Sequence, residues 1–254
     1  IEFDRVSFTH AGTRPEENAA SFAGGRREKC LDGISFRLKR GETLGIIGHT
    51  GAGKSTLIRL LMRFYDADEG TVYVDGRDVR TYDKRTLREK FGAAFQSDVI
   101  FAESIRDNIS LGRPLTDEEL LRAAEDAMAA DFIAEKPGGW AYGADIKGAN
   151  FSGGQKQRLC IARALAAQPE ILILDDAASA LDYQTDARLR QALRERYPGI
   201  TTVIAAQRVS SIMAASLILV LENGRITGAG RHEELLERCP VYRDIYQSQM
   251  GDLA

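Results

Sequence analysis

The chain has 254 residues, 44% hydrophobic and 28% charged, which suits one large α/β domain or two small ones of ordinary soluble composition. A net charge of -3 supplies no global basic field, so nucleic acid is not an expected partner. The three cysteines, Cys30, Cys160 and Cys239, have no paired spacing; this argues against a disulfide framework or zinc site and fits a reducing compartment.

The opening IEFDRVSF reads as a strand, and without a starting methionine it suggests a domain cut from a longer polypeptide. No signal peptide is recognisable, and no apolar run approaches the roughly 18 residues of a membrane span. Residues 11–30 show no period and read as a long loop, with Arg26-Arg27-Glu28-Lys29 as a solvated run. ISFRL (34–38) and TLGII (43–47) read as strands, LIRLLMRF (57–64) as a helix, and 70–79 as a hairpin turning at Asp75-Gly76. GAAF (92–95) is a short buried strand. A helix-rich stretch follows, with a capping box at Thr116 and Glu119 and an apolar stripe of Leu120, Leu121, Ala124 and Met128. A helix from Gly153 to about Ala167 stops before Pro169. ILIL (171–174), TTVIAA (201–206) and SLILVL (216–221) are wholly apolar, as expected of parallel strands covered on both faces. Asn223-Gly224 marks a turn, and closing helices end the chain. The alternation of strand and helix implies an α/β fold with a helical insertion.

TLGII runs into Gly48-His49-Thr50-Gly51-Ala52-Gly53-Lys54-Ser55-Thr56 and then a helix, which is GxxxxGK[ST] in its required strand–loop–helix setting. Glycines let the backbone curl its N–H groups onto phosphate oxygens, and the helix start adds the positive end of its dipole. Lys54 supplies charge for the terminal phosphates and Ser55 a hydroxyl for Mg²⁺. Asp175 ends the apolar strand ILIL, where P-loop proteins place the acid that holds Mg²⁺. Expected cofactors are therefore ATP and Mg²⁺.

Asn150-Phe151-Ser152-Gly153-Gly154-Gln155-Lys156-Gln157-Arg158, set between the phosphate loop and LDD…SALD, resembles the ABC-transporter nucleotide-binding domain over nearly the whole chain. The exporter type is suggested by FAESIRDNI (101–109) and VYRDIYQSQ. The resemblance implies a P-loop NTPase core with a mainly parallel sheet, an N-terminal antiparallel β subdomain (with the core, about 1–96 and 159–254) and an inserted helical subdomain (97–158) carrying the signature. A membrane domain is expected upstream, with the whole on the cytoplasmic side of a cell membrane. Ser152 can cap a helix open to phosphate. The resemblance adds that Ser152, Gly153, Gly154 and Gln155 reach ATP held by the other subunit of a head-to-tail dimer. It makes Gln96 a sensor of Mg²⁺ and the attacking water, beside a groove for the membrane domain, and Asp182 part of the D-loop. Lys156 and Arg158 read as solvated or structural.

The chain departs from that pattern at informative places. Asp176 stands where the family has the Glu that acts as general base, and its carboxylate is withdrawn by about 1.5 Å, one C–C bond. A base needs direct contact with its proton, and a misplacement of about 1 Å can cost on the order of 10²-fold. Gln207 takes the switch histidine's place and carries no proton or charge near neutral pH. His10 replaces the Tyr that stacks on adenine, and YGADIKGAN differs just before the signature. Asp176 and Gln207 together suggest a degenerate site whose intact signature serves a competent partner carrying Glu and His. The alternatives are a fully active homodimeric exporter ATPase, a non-hydrolytic ATP-gated module, or an ABC protein outside transport.

Overall fold

The computed structural model describes residues 1–10, 29–177 and 179–251. The loop read over 11–30, with Arg26, Arg27 and Glu28, lies largely outside the described residues; Lys29, at its end, pairs with Asp32 and Glu69.

The chain opens with β1 (Glu2–Phe8), β2 (Leu31–Arg37) and β3 (Thr43–Ile47), and the phosphate loop then leads into α1 (Lys54–Leu61). A hairpin of β4 (Glu69–Val74) and β5 (Arg77–Asp78) turns at Asp75-Gly76 as expected, followed by α2 (Lys84–Glu89) and β6 (Phe91–Phe95). The insertion comprises α3 (Ile105–Ser110), α4 (Asp117–Asp126), α5 (Ala130–Ala134) and the start of α6 (Gly153–Leu165). Then come β7 (Ile171–Asp175), α7 (Tyr183–Arg196), β8 (Thr201–Ala205), β9 (Leu217–Glu222), β10 (Arg225–Gly230), α8 (His232–Arg238) and α9 (Pro240–Met250).

Two sheets form. The small antiparallel one runs β2-β1-β4-β5, and the larger one runs β10-β9-β3-β8-β7-β6 with only its β10 edge antiparallel. Strict alternation divides the large sheet's side chains between two cores. Leu172 and Leu174 of β7, Ile204 of β8 and Ile218 and Val220 of β9 join the helical insertion on one face. Ile171, Ile173, Val203, Leu219 and Leu221 pack on the other, with α1 and the small sheet. Burial on both faces explains why these strands are mainly aliphatic, and the two threonines that open β8, Thr201 and Thr202, are buried as well.

Local differences from the sequence reading have visible causes. The helix expected over 57–64 stops at Leu61: Arg63 turns left-handed (φ 53) and leaves Phe64 exposed beneath the Arg88 guanidinium. The Thr116–Glu119 capping box forms, but the stripe is partly wrong. Leu120 and Ala124 are buried, whereas Leu121 is exposed and Met128 lies past the helix end with φ 57. The boundary at 158 falls inside α6, which runs unbroken from the signature into the shared core. Buried Arg163 of α6 ties that helix to the insertion, donating to Asn108 O at 2.7 Å, Asn108 Oδ1 at 3.1 Å and Val99 O at 3.1 Å. Cys160 is a core residue; burial pushes its thiol up to about 11. Among the described residues no helix is long and apolar enough to cross a membrane.

Candidate functional site

Parallel pairing of β3, β8, β7 and β6 sets their carboxyl ends in one row. Gly48, Gln207, the Asp175-Asp176 pair and Gln96 all follow or end these strands, so residues far apart in sequence meet along one edge. Crevices outside such edges are where open α/β sheets bind ligands.

At the phosphate loop, Gly53 adopts φ 105, and a Cβ there would lie 2.6 Å from Leu31 Cδ2, so the loop needs glycine. Gly53 gives α1 no side-chain cap, leaving its first N–H groups available to an anion. Ala52 is buried, and its N–H bonds His49 O at 3.1 Å, closing the curl. Thr50 and Gly51 are exposed at the tip. Lys54 Nζ spans the loop, donating to Gly48 O at 2.6 Å and His49 O at 3.1 Å. Burial lowers the Lys54 pKa, while the carboxylates of Asp176 and Asp175 oppose that shift. Ser55 Oγ donates to Asp175 Oδ1 at 3.1 Å. Burial raises the Asp175 pKa, the Ser55 bond opposes this, and neighbouring Asp176 adds to it.

Ser55 and Asp175 thus bring a hydroxyl and a carboxylate together beside the lysine. Mg²⁺ prefers such hard oxygens, one or two from protein and the rest from phosphate and water, so these donors fit it. Among the described residues no group of three or more His, Cys, Asp or Glu side chains forms a larger metal cage. Gln96 is exposed in the turn after β6, one residue past Phe95, which pairs with Asp175.

The second acid is held differently. Asp176 leaves the strand with φ 54, its N–H bonding Ala205 O at 2.8 Å. Its Oδ2 accepts from Gln207 Nε2 at 2.5 Å. A cavity of about 190 Å³ beside this pair is lined in part by Asp176, Gln207, Arg208 and Asp186. Arg208 reaches back to the segment after Asp176, donating to Ser179 O at 3.2 Å and Leu181 O at 3.0 Å. Asp182 caps α7, accepting from Thr185 N at 2.8 Å, and that bond holds its carboxyl below the usual range.

Ser152 caps α6 as expected, accepting from Gln155 N at 3.2 Å. Gln155 reciprocates, accepting from Ser152 N at 3.1 Å, so its side chain is occupied at the cap. A Cβ on Gly154 would stand 3.1 Å from Ala180 O, so the signature helix closely approaches the D-loop segment of its own chain. Gly153, Ser152 and the start of α6 remain exposed. Arg158 is structural, donating to Met128 O at 2.8 Å with its guanidinium over Phe132.

His10 lies near the start of α1, its Nε2 3.4 Å from Thr56 Oγ1. Phe8 is core and stacks on Tyr65 at 5.3 Å; His10 stands edge-on to both rings. Tyr65, 41% exposed, is an aromatic wall that the sequence reading missed. The run Arg63-Phe64-Tyr65 was its only signal, hidden by taking Phe64 into the helix.

A family model described as ABC transporter matches residues 31–179. The chain is 42% identical over 250 residues to the human "ATP-binding cassette sub-family B member 5", covering 98% of this chain and 19% of that protein. It is 41% identical over 239 residues to the "ATP-dependent lipid A-core flippase" of Saccharophagus degradans, covering 94% of this chain and 41% of the relative. A solved "bacterial Atm1-family ABC exporter with ATP bound" superposes with a TM-score of 0.89 at 37% identity, covering 98% of this chain and 41% of that one. The chain belongs to the ABC transporter family. Within it, the chain is an ABC-type ATPase domain of the exporter kind, with the antiparallel subdomain, mainly parallel sheet and helical insert of that fold. It spans less than half the length of these relatives.

Proposed function

We propose that this chain is the nucleotide-binding part of a heterodimeric exporter, that its own site holds ATP and hydrolyses it slowly, and that its signature completes a competent site on a different partner. The observation that carries this reading is the bond from Gln207 Nε2 to Asp176 Oδ2. The shortened acid and the uncharged switch residue satisfy each other. An Asp176 oxygen so engaged is a poorer proton acceptor for water, and the Gln207 N–H so engaged is not aimed at a terminal phosphate.

Nucleotide binding rests on Lys54, Ser55, Thr56 and the backbone of 48–53, with His10 and Tyr65 as walls for the base. Mg²⁺ would be held by Ser55 and Asp175, with Gln96 at the row's far end, and would supply charge neutralisation to the terminal phosphates. Gln96 also borders the surface to which membrane helices would dock. The flippase and exporter names of the relatives support transport outward from the cytoplasmic face.

ATP turnover of the chain alone and mixed with its partner nucleotide domain tests the proposal. We expect low turnover alone and a rise of at least about tenfold on mixing, since only the partner's site holds a base of full reach. Equal turnover in both would overturn it.

A further inference from the structure

We infer that Gln249, near the end of α9, is a positioning residue for the hydrolysis side of the site. Its Nε2 donates to Gln207 O at 2.7 Å, and its Oε1 accepts from Val209 N at 2.8 Å. One amide therefore brackets the backbone on both sides of Arg208. Within that bracket, the Gln207 side chain bonds Asp176 and the Arg208 guanidinium holds Ser179 O and Leu181 O. The backbone from which both groups reach is thereby fixed by a helix far along the chain.

The helix carrying Gln249 is itself anchored. Tyr242 is fully buried, its hydroxyl 2.7 Å from His232 Nδ1 of α8, and His232 also packs against Tyr246 at 5.3 Å. Tyr242 and Gln249 lie about two helical turns apart and so share a face. Pro240 at the first turn fixes where that face begins. A buried anchor at one end and a two-pronged amide at the other transmit α9's position to Gln207. A primary amide has a donor and an acceptor side by side, matching a C=O and an N–H two residues apart.

This inference rests on reading Asp176 and Gln207 as the hydrolysis side of the site. The experiment is a double-mutant cycle in the Asp176→Glu background, where the longer carboxylate gives a larger signal. Gln249→Met keeps length and removes both bonds. We expect kcat to rise about 3- to 10-fold, the scale of one or two neutral hydrogen bonds, because a Gln207 side chain no longer held in place engages the carboxylate at position 176 less. The Kd for a fluorescent ATP analogue should stay within about twofold, because Lys54 and Ser55 are untouched.

The discriminating readout is the same substitution on top of Gln207→Ala, which keeps the bracketed carbonyl and removes the side chain. There the Gln249 effect should vanish. An undiminished effect would show that Gln249 merely stabilises the fold, and no effect of Gln249→Met in either background would also overturn the inference. Gln249→Glu, which sets a carboxylate oxygen against Gln207 O, provides a second variant should the first fold poorly. If Asp176→Glu itself gives no gain over the native chain, the slow-site reading fails while the cycle, run on the native chain, still judges Gln249.

Discussion

The Lys54–Ser55–Asp175 side of the site and the Asp176–Gln207 side begin on neighbouring residues, the last of β7 and the one after it, yet they are held in different ways. Asp175 is the last residue in register with β6 and β8, and it meets Ser55 at the start of α1. Its position follows from sheet pairing and from a loop that only a particular residue pattern can form. Asp176 has left the register, turns left-handed and takes its partner from the segment after β8. That segment is fixed by Gln249 and by its own grip on the D-loop. The geometry around Lys54, Ser55 and Asp175 is thus built into the sheet register and the phosphate loop, whereas that around Asp176 depends on side-chain contacts from later segments. The first can persist while the second drifts, which is the combination expected of a site that retains nucleotide and loses turnover.

The largest way to break this contrast is Lys54→Ala. Removing a charge-assisted contact to phosphate should weaken nucleotide binding on the order of 100-fold, read by titration with a fluorescent ATP analogue. Retained affinity would mean that binding does not rest on the loop. Next comes Asp175→Asn. Chelating Mg²⁺ should weaken ATP binding by the native chain about tenfold and leave the variant nearly unchanged, because the buried carboxylate is the charged donor beside Ser55. A variant that still responds to Mg²⁺ would move the metal elsewhere.

The opposite side is sharpened by pH. Native turnover should show no titration near 6.5, since Gln207 has no proton to lose. Gln207→His should introduce one of a few-fold: below that pH the imidazolium pairs with Asp176 and occupies the base, so turnover falls as pH falls. A histidine-like transition in the native chain would point to another group. The smallest effect is expected from Ser152→Ala, which removes the cap of α6 at a cost of about 1 kcal/mol in stability, measured by denaturant unfolding. Binding of ATP to the chain's own site should not change, because the signature is proposed to serve a partner's nucleotide.

What was legible in the sequence follows the same division. The phosphate loop, Asp175, the Thr116 box and the Ser152 cap are local patterns, each set by a few residues at fixed spacing, and all form where read. The central strands were legible because burial on both faces makes them mainly aliphatic. The end of α1 was not, since Phe64 looks like core until Arg63 turns left-handed. Tyr65 and Gln249 were not legible either. Tyr65 stacks on Phe8 of β1 from the turn after α1, and Gln249 meets Gln207 from 42 positions further along the chain. Neither contact leaves a periodic trace, because each is made by tertiary packing alone.

On the proposed reading, this site holds ATP and hydrolyses it poorly because Asp176 is short and its carboxylate is engaged by Gln207. The most direct measurement of this is the state of bound nucleotide. The chain is loaded with labelled ATP and Mg²⁺, stripped of free nucleotide and sampled over time, in parallel with the Asp176→Glu, Gln207→His double variant. Bound label should stay ATP in the native chain and become ADP about 10- to 100-fold faster in the double variant. Conversion at the same rate in both would contradict that reading.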